Sequence, residues 1–374
     1  MRFSFFHLMP YTGLTEAPAE WPVANKVFDA EKAREYYRTY VDTMTYAEEC
    51  GFDWVGCNEH HFSPYGLMAN CNVIGGALVY ATQRIRIAMM GNLVPLNNPL
   101  RIAEEYAMLD CMSGGRLVAG LMRGIPHEYI AYNIPPDDSW DRQREGIALI
   151  LKAWTEPEPF GWEGEHFQFR QVSIWPRPLQ KPHPPLVISA SSLESARFAG
   201  EMKATMGMVL ISDLGMAKEC IAVYKDAARS AGWEPRAENI LVGMHTCIAE
   251  TDEAALAALR EAKAYFDKVL MGGPRTAGKL VLQKTRYYQE AADAKRMGER
   301  LAKREASTLE QQIAGGMVFC GSPKTVVEQM RRVHAELGNG VFNLTMQVGN
   351  LPNAVVRKGM ELFRDRVLPE VRGL

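Results

Sequence analysis

The sequence predicts an α/β protein, a (β/α)8 TIM barrel with insertions. Three observations lead there. Short apolar runs alternate with helical segments, the pattern of βα units joined into a parallel sheet. Eight such units can be counted along the chain. No linker interrupts them, so residues 1–374 read as one closed domain rather than an open sheet in two parts.

Each element has a local reason. Phe3 to Met9 is an apolar opening strand, followed by a loop rich in Pro, Gly and Thr (Pro10 to Pro22). Glu31 to Cys50 is helical, and Gly51 stops it as a C-terminal cap glycine does. Trp54 to Cys57 is strand two, and the small apolar run Asn72 to Ala81 is a helix. Ile85 to Val94 is strand three. Pro99 to Met112 has helical spacing, with Pro99 in the first turn, where a missing N–H costs little. Ser113-Gly114-Gly115 turns the chain into strand four, Leu117 to Leu121. Helix Asp141 to Trp154 follows, then strand Leu186 to Ser189 and helix Ser192 to Glu201. Strand Met206 to Ile211 precedes helix Met216 to Ala231. Strand Leu241 to Ile248 precedes helix Glu253 to Asp267. Val341 to Val348 is strand eight, and helix Asn353 to Val367 closes the chain.

Two stretches break the rhythm. Within an excursion over residues 156–185, Phe160 to Val172 alternates aromatic and polar residues around Gly161 and Gly164, as a hairpin does. The second, Leu270 to Met317, opens with Gly272-Gly273-Pro274. It continues into a charged helical stretch with eight Lys/Arg and four Asp/Glu from Lys279 to Glu305. It reads either as a solvated helix or as a lid or partner-contact surface over the barrel mouth.

Composition narrows the classes. Hydrophobic residues make up 47% and charged residues 23%, which excludes a disordered chain. Lys and Arg total 42 and Asp and Glu 44, against the basic balance of a nucleic-acid binder. No apolar run reaches membrane-spanning length, and Met1 to His7 is too short for a secretory signal. Seven scattered cysteines without a CxxC pair read as free thiols of a cytoplasmic protein. No G-x-G-x-x-G, P-loop, H-E-x-x-H or G-x-S-x-G motif is present.

In a barrel the chemistry sits at the C-terminal ends of the strands. Strand two ends in Asn58-Glu59-His60-His61-Phe62. Two imidazoles and a carboxylate there make an acid/base cluster or a packed His–Glu pair. A shared metal is disfavoured unless the strand has ended there, because adjacent residues of an extended strand face opposite sides.

Several further runs follow in order: Ala47-Glu48-Glu49-Cys50-Gly51-Phe52-Asp53-Trp54-Val55 with Glu59-His60-His61-Phe62, Asn97-Asn98-Pro99-Leu100-Arg101, and Ser113-Gly114-Gly115-Arg116. Gly120-Leu121-Met122-Arg123-Gly124, Trp175-Pro176-Arg177-Pro178 and Gly321-Ser322-Pro323 come after them. Together these runs resemble the bacterial luciferase-like flavin-dependent monooxygenases. The resemblance implies a barrel that binds reduced FMN, supplied by a separate NAD(P)H-dependent flavin reductase, and uses O2 through a flavin hydroperoxide. The substrate implied is a small organic molecule.

The resemblance also assigns roles. His60 matches the family's active-site histidine, a base or hydrogen-bonding group. His61 and Glu59 would support it. Met90, Gly91 and Asn92 match a bulge or cis peptide under the flavin ring, where glycine permits close approach. Leu210 matches a position beside the ring. Arg123 matches a phosphate contact, and Arg142, with Arg144 as substitute, stands for a second arginine near Ser139-Trp140. Ser191, Ser192 and Ser195 open the helix after strand five, where N–H groups and the dipole favour an anion; simple N-capping is the other reading. No metal is implied. Met122 stands where some luciferases carry cysteine, so light emission is not implied. Met9, Tyr11, Trp21, Leu67, Met68 and Met122 read as an apolar substrate wall or as core.

The same fold also implies two alternatives. One is an oxidoreductase using the deazaflavin coenzyme, whose members tend to carry Asp-His at the strand-two position. The other is a non-catalytic flavin-binding relative, which would have lost the histidines. A homodimer packed through the early helices is implied as well.

Overall fold

A computed structural model of the chain describes residues 1–18, 20–286 and 307–374. β1 (Arg2–His7) opens the barrel with five of its six residues buried. Ser4 to His7 lie in parallel register with Trp54 to Cys57 of β2 (Trp54–Cys57). β3 (Arg86–Leu93), β4 (Leu117–Met122), β7 (Leu186–Ser189), β8 (Thr205–Met208), β9 (Ile240–Ile248) and β11 (Val341–Thr345) follow around the ring. Pairing of β11 with β1 closes eight parallel strands into a barrel. All nine residues of β9 are buried, as expected of a strand covered on both faces.

The helices start where the sequence supplies caps. Asp29 accepts from the N–H groups of Glu31 and Lys32 to start α1 (Ala30–Glu49). α2 spans Cys71–Ala81. Asn98 caps α3 (Pro99–Met112), with Pro99 in its first turn. α4 (Pro126–Ala131) and α5 (Ser139–Thr155) follow β4. α6 (Leu193–Glu201), α7 (Leu214–Ser230) and α8 (Asp252–Tyr265) follow β7, β8 and β9. A helix over Pro323–Leu337 and one over Asn353–Leu362 flank β11.

The hairpin expected at Phe160 to Val172 is β5 (Phe160–Glu163) with β6 (Gln168–Val172). Glu145 of α5 pins it, accepting from Trp162 Nε1 and from the N–H groups of His166 and Phe167. After α8 a π-helical turn over Phe266–Leu270 leads into α9 (Gly272–Lys284), which packs on α4. The charged stretch is thus helical where it begins; its continuation over residues 287–306 lies outside the described residues.

Three strands are shorter than their apolar runs suggest. β1 stops at His7, and Met9 turns to a φ of +45°. β8 stops at Met208 and β11 at Thr345, while Val348 stays fully buried beyond the strand. Burial there comes from loops that fold over the strand ends. Among the described residues, several short elements have no counterpart in the sequence pattern. α4 is too short to show a period, and the four-residue strand β10 (Val318–Gly321) pairs with β9 outside the closed ring.

Candidate active site

A cavity of about 670 Å³ opens at the C-terminal ends of the strands. His60, just beyond β2, lines it together with Met90 of β3, Met122 at the end of β4 and Leu210 beyond β8. The floor is shaped by an irregularity in β3. Its register with β4 slips between Met89 and Asn92, a β-bulge. The Tyr106 hydroxyl of α3 bridges the two strands, 2.6 Å from Gly120 O and 3.1 Å from Met89 O.

The three bulge residues do different things. Met90 faces the cavity. Asn92 exchanges two amide hydrogen bonds with Asn72 of α2, at 3.0 and 2.9 Å. Gly91 is required by the protein itself: a Cβ there would meet Cys71 Sγ at 2.8 Å and the Asn58 carbonyl carbon at 3.0 Å. Gly91 and Asn92 therefore build the bulge without lining the cavity. The peptide bonds here are trans, the described cis bonds being X-Pro bonds elsewhere.

The adjacent histidines diverge to different carboxylates. His60 Nδ1 lies 2.6 Å from Glu128 Oε1 of α4, and His60 Nε2 lies 2.5 Å from the Asn58 amide nitrogen. This pattern fits a neutral ring that donates from Nδ1 and accepts at Nε2. Glu128 is fully buried and also accepts from the Ile125 N–H at 2.9 Å. Burial alone would raise its carboxyl, but His60, His127 and the Ile125 N–H together hold it below the usual carboxylate range. His61 Nε2 lies 3.3 Å from Glu59 Oε1, and its Nδ1 lies 3.2 Å from the Tyr132 hydroxyl. Glu59 lines the cavity; His61 stands behind it.

Two arginines flank the Trp140 ring beside the cavity. Arg123 lines the cavity, donates to Ser139 Oγ at 3.2 Å and lies 4.6 Å over the Trp140 ring. Arg144 lies over the same indole at 5.4 Å and pairs with Glu194 in the first turn of α6 at 3.0 Å. Arg142 is elsewhere: its Nε donates to Pro95 O and its guanidinium covers Phe167. Two residues along a helix is a rotation of about 200°, so Arg142 and Arg144 face opposite ways. Arg144, the substitute, is the arginine on the side of Arg123 and α6.

Ser191 and Ser195 line the cavity at the start of α6. Ser192 is the N-cap, accepting from the Ser195 N–H at 3.2 Å while its own N–H donates to Ser195 Oγ at 2.9 Å. The capping reading holds, and the capped helix start faces the cavity. Of the proposed apolar wall, Met122 lines the cavity, whereas Met9, Met68 and Tyr11 are buried core. Trp21 packs edge-on against His127, 5.5 Å away.

The family model for luciferase-like monooxygenases matches residues 1–339. The chain belongs to the luciferase-like monooxygenase family. A flavin-dependent trigonelline monooxygenase, oxygenase component, from Acinetobacter baylyi is 24% identical, over 65% of this chain and 68% of that protein. The alkanal monooxygenase alpha chain of Photorhabdus luminescens is 28% identical over 50% of this chain. An uncharacterised Sinorhizobium fredii protein is 36% identical over 46% of it. The chain spans about half the length of the last two relatives. Among solved structures, the monooxygenase RslO1 of Streptomyces bottropensis superposes with a TM-score of 0.76 at 24% identity, 99% of each chain being covered. The oxygenating constituent of 3,6-diketocamphane monooxygenase from Pseudomonas putida, a type II Baeyer-Villiger enzyme in complex with FMN, gives 0.72 at 22%, over 99% of this chain and 98% of that one. An F420-dependent secondary alcohol dehydrogenase gives 0.69 at 19%, 99% of each chain being covered. These likenesses show the fold.

Within this luciferase-like barrel, sequence reasoning missed Asn58 and Glu128. Asn58 stands two residues before His60, inside the run singled out. Glu128 is 68 residues from its partner, on a helix of six residues, and carried no signal of its own.

Proposed function

We propose that the chain is the oxygenase component of a two-component monooxygenase. It would take reduced FMN from a separate NAD(P)H-dependent flavin reductase and use O2 to oxidise a small, mainly apolar organic substrate. The observation that carries this reading is the buried His60–Glu128 pair, opening on the cavity beside the β3 bulge.

The residues present fit reduced FMN. The bulge offers Met90 as an apolar surface for a flat ring, with Leu210 lining the same cavity. Arg123, Ser191 and Ser195 supply charge and hydroxyls for a phosphate, with Arg144 beside them. Reduced flavin, when bound, supplies the electrons that activate O2 for transfer of one oxygen atom to the substrate. The rest is the chain's own work. His60, held as the Nδ1–H tautomer, takes or returns a proton at Nε2 when the Asn58 amide turns to present its oxygen there. Met122, Tyr65 and Phe266 give the substrate an apolar wall. α9 lines one side of the cavity, and Trp21 packs against Gly273 at the start of that helix.

A homodimer through the early helices fits the surface. Val73 and Tyr80 of α2 and Met108 and Met112 of α3 are exposed, at 70%, 73%, 49% and 41%. Among the described residues no helix is long and apolar enough to cross a membrane.

The test is direct. The protein is mixed with reduced FMN, or separately with the reduced deazaflavin coenzyme, and oxygen uptake is followed against a panel of ketones, aldehydes, sulfonates and aromatic acids. Oxygen incorporation with FMN is expected. Binding and turnover with the deazaflavin alone, without oxygen incorporation, would overturn the reading.

A further inference from the structure

We infer that Tyr132, His61 and Glu59 form a proton path from solvent to the reaction cavity, separate from the His60–Glu128 pair. The inference rests on the monooxygenase reading for its purpose and on geometry for its existence.

The path has three linked side chains. The Tyr132 ring is 41% exposed at the end of α4. Its hydroxyl lies 3.2 Å from His61 Nδ1, and the two rings are 4.5 Å apart. His61 is 5% exposed, and its other nitrogen lies 3.3 Å from Glu59 Oε1. That oxygen also accepts from the Asn97 amide at 3.2 Å, which fixes the carboxylate. Glu59 lines the cavity, and its Oε2 has no hydrogen-bond partner among the described residues. Burial raises the Tyr132 phenol, so the hydroxyl keeps its proton at neutral pH. The groups packed around the path are His127, His60 and Glu128 on the cavity side and Phe62, stacked 6.1 Å from Tyr132.

The reaction needs such a path. Inserting one oxygen atom from O2 with anionic reduced flavin consumes one proton: substrate, O2, FMNH⁻ and H⁺ become oxygenated substrate, FMN and water. With flavin and substrate filling the cavity, hydrogen-bonded groups would carry that proton in. One hop series balances it. Solvent protonates the Tyr132 oxygen as its own proton passes to His61 Nδ1, the His61 Nε2 proton passes to Glu59, and Glu59 delivers it to the water being formed; a turn of the His61 ring then restores the starting tautomer. A neutral His61 that accepts from Tyr132 and donates to Glu59 is already in the starting arrangement. His60 cannot serve the same route, because its Nδ1 is bonded to the sealed carboxylate of Glu128.

The test uses Tyr132→Phe, which removes the hydroxyl and keeps the ring packing. In ¹⁵N-histidine-labelled protein without flavin, exchange of the His61 Nε2 proton with water is expected to slow about tenfold or more in the variant. In turnover with reduced FMN and O2, kcat is expected to fall about tenfold with KM unchanged, and added imidazole, a small diffusible proton donor, is expected to restore it. A merely structural tyrosine would show no rescue. Equal exchange rates in wild type and variant would overturn the path. Absence of oxygenation in the wild type would overturn the monooxygenase reading instead, and the exchange rates would still decide the path.

Discussion

Oε1 of Glu128 lies 2.6 Å from Nδ1 of His60, and the carboxylate is sealed from solvent at the end of a 68-residue excursion of the chain. A buried carboxylate held against an imidazole fixes both its tautomer and its direction. Glu128→Gln keeps the volume but removes the charge and lets an amide nitrogen face Nδ1. Turnover is expected to fall about 10²-fold, comparable to His60→Ala. The double variant is expected to fall no further than the worse single one, because the residues act as a unit. Oxygen-uptake rates for the two singles and the double check this; losses that multiply would dissolve the pair.

Acid should destabilise the fold through its buried imidazoles. Burial pushes His7 down to about 3 and His127 to about 4. Both stay neutral in the native state while the unfolded chain takes up protons below about pH 6.5. The unfolded state then binds more protons, so stability falls as pH drops from 6.5 toward 4, by about 1.4 kcal/mol per pH unit for each group. His7 Nδ1 accepts from the Met9 N–H at 2.9 Å, a bond an amide oxygen can replace. Urea unfolding of His7→Gln between pH 4.5 and 6 is expected to show a slope about half that of the wild type. Glu128 adds a loss at lower pH, since its carboxylate, held below the usual range, is protonated there.

Arg123 offers a phosphate-specific test. Its fork lines the cavity and is steadied by Ser139 and the Trp140 ring. Arg123→Met is expected to weaken reduced-FMN binding by about 10- to 100-fold, the value of one or two charge-assisted hydrogen bonds. Riboflavin, which has no phosphate, is expected to bind both proteins alike. Fluorescence titrations with the two flavins check this, and equal losses would remove Arg123 from the phosphate.

The bulge makes a stability prediction that needs no cofactor. A Cβ at Gly120 would lie 2.2 Å from Met89 O and 2.8 Å from Met90 Cα, both backbone atoms. Gly120→Ala is expected to cost about 3 kcal/mol by overpacking. Gly91→Ala meets a cysteine side chain as well as backbone, so Gly91→Ala with Cys71→Ala is expected to recover part of the loss. Thermal unfolding of the variants measures both.

The barrel was legible because its punctuation is local. Asn98, Pro99 and Ser113-Gly114-Gly115 bracket α3 at the residues expected. Strand ends were less legible, because Leu8, Met9 and Val348 are as apolar and as buried as any strand residue. Burial in loops over a barrel mouth leaves the same trace as burial in a sheet. At the site, His60 and Arg123, both singled out in the sequence, line one cavity. Glu128 was not legible, since its role arises from a contact between distant segments. Arg142 and Arg144 could not be separated by spacing from the motif; helix phase decides between them, and phase depends on where the helix starts.

Tyr106 stands on a helix outside the barrel, yet its hydroxyl ties Met89 to Gly120 beneath the cavity. The shape of the cavity is thereby governed in part from the layer that surrounds it. Variation in α3 can retune the chamber floor while every residue that meets a ligand stays the same, so adaptation to new substrates has a route that leaves the chemical groups untouched.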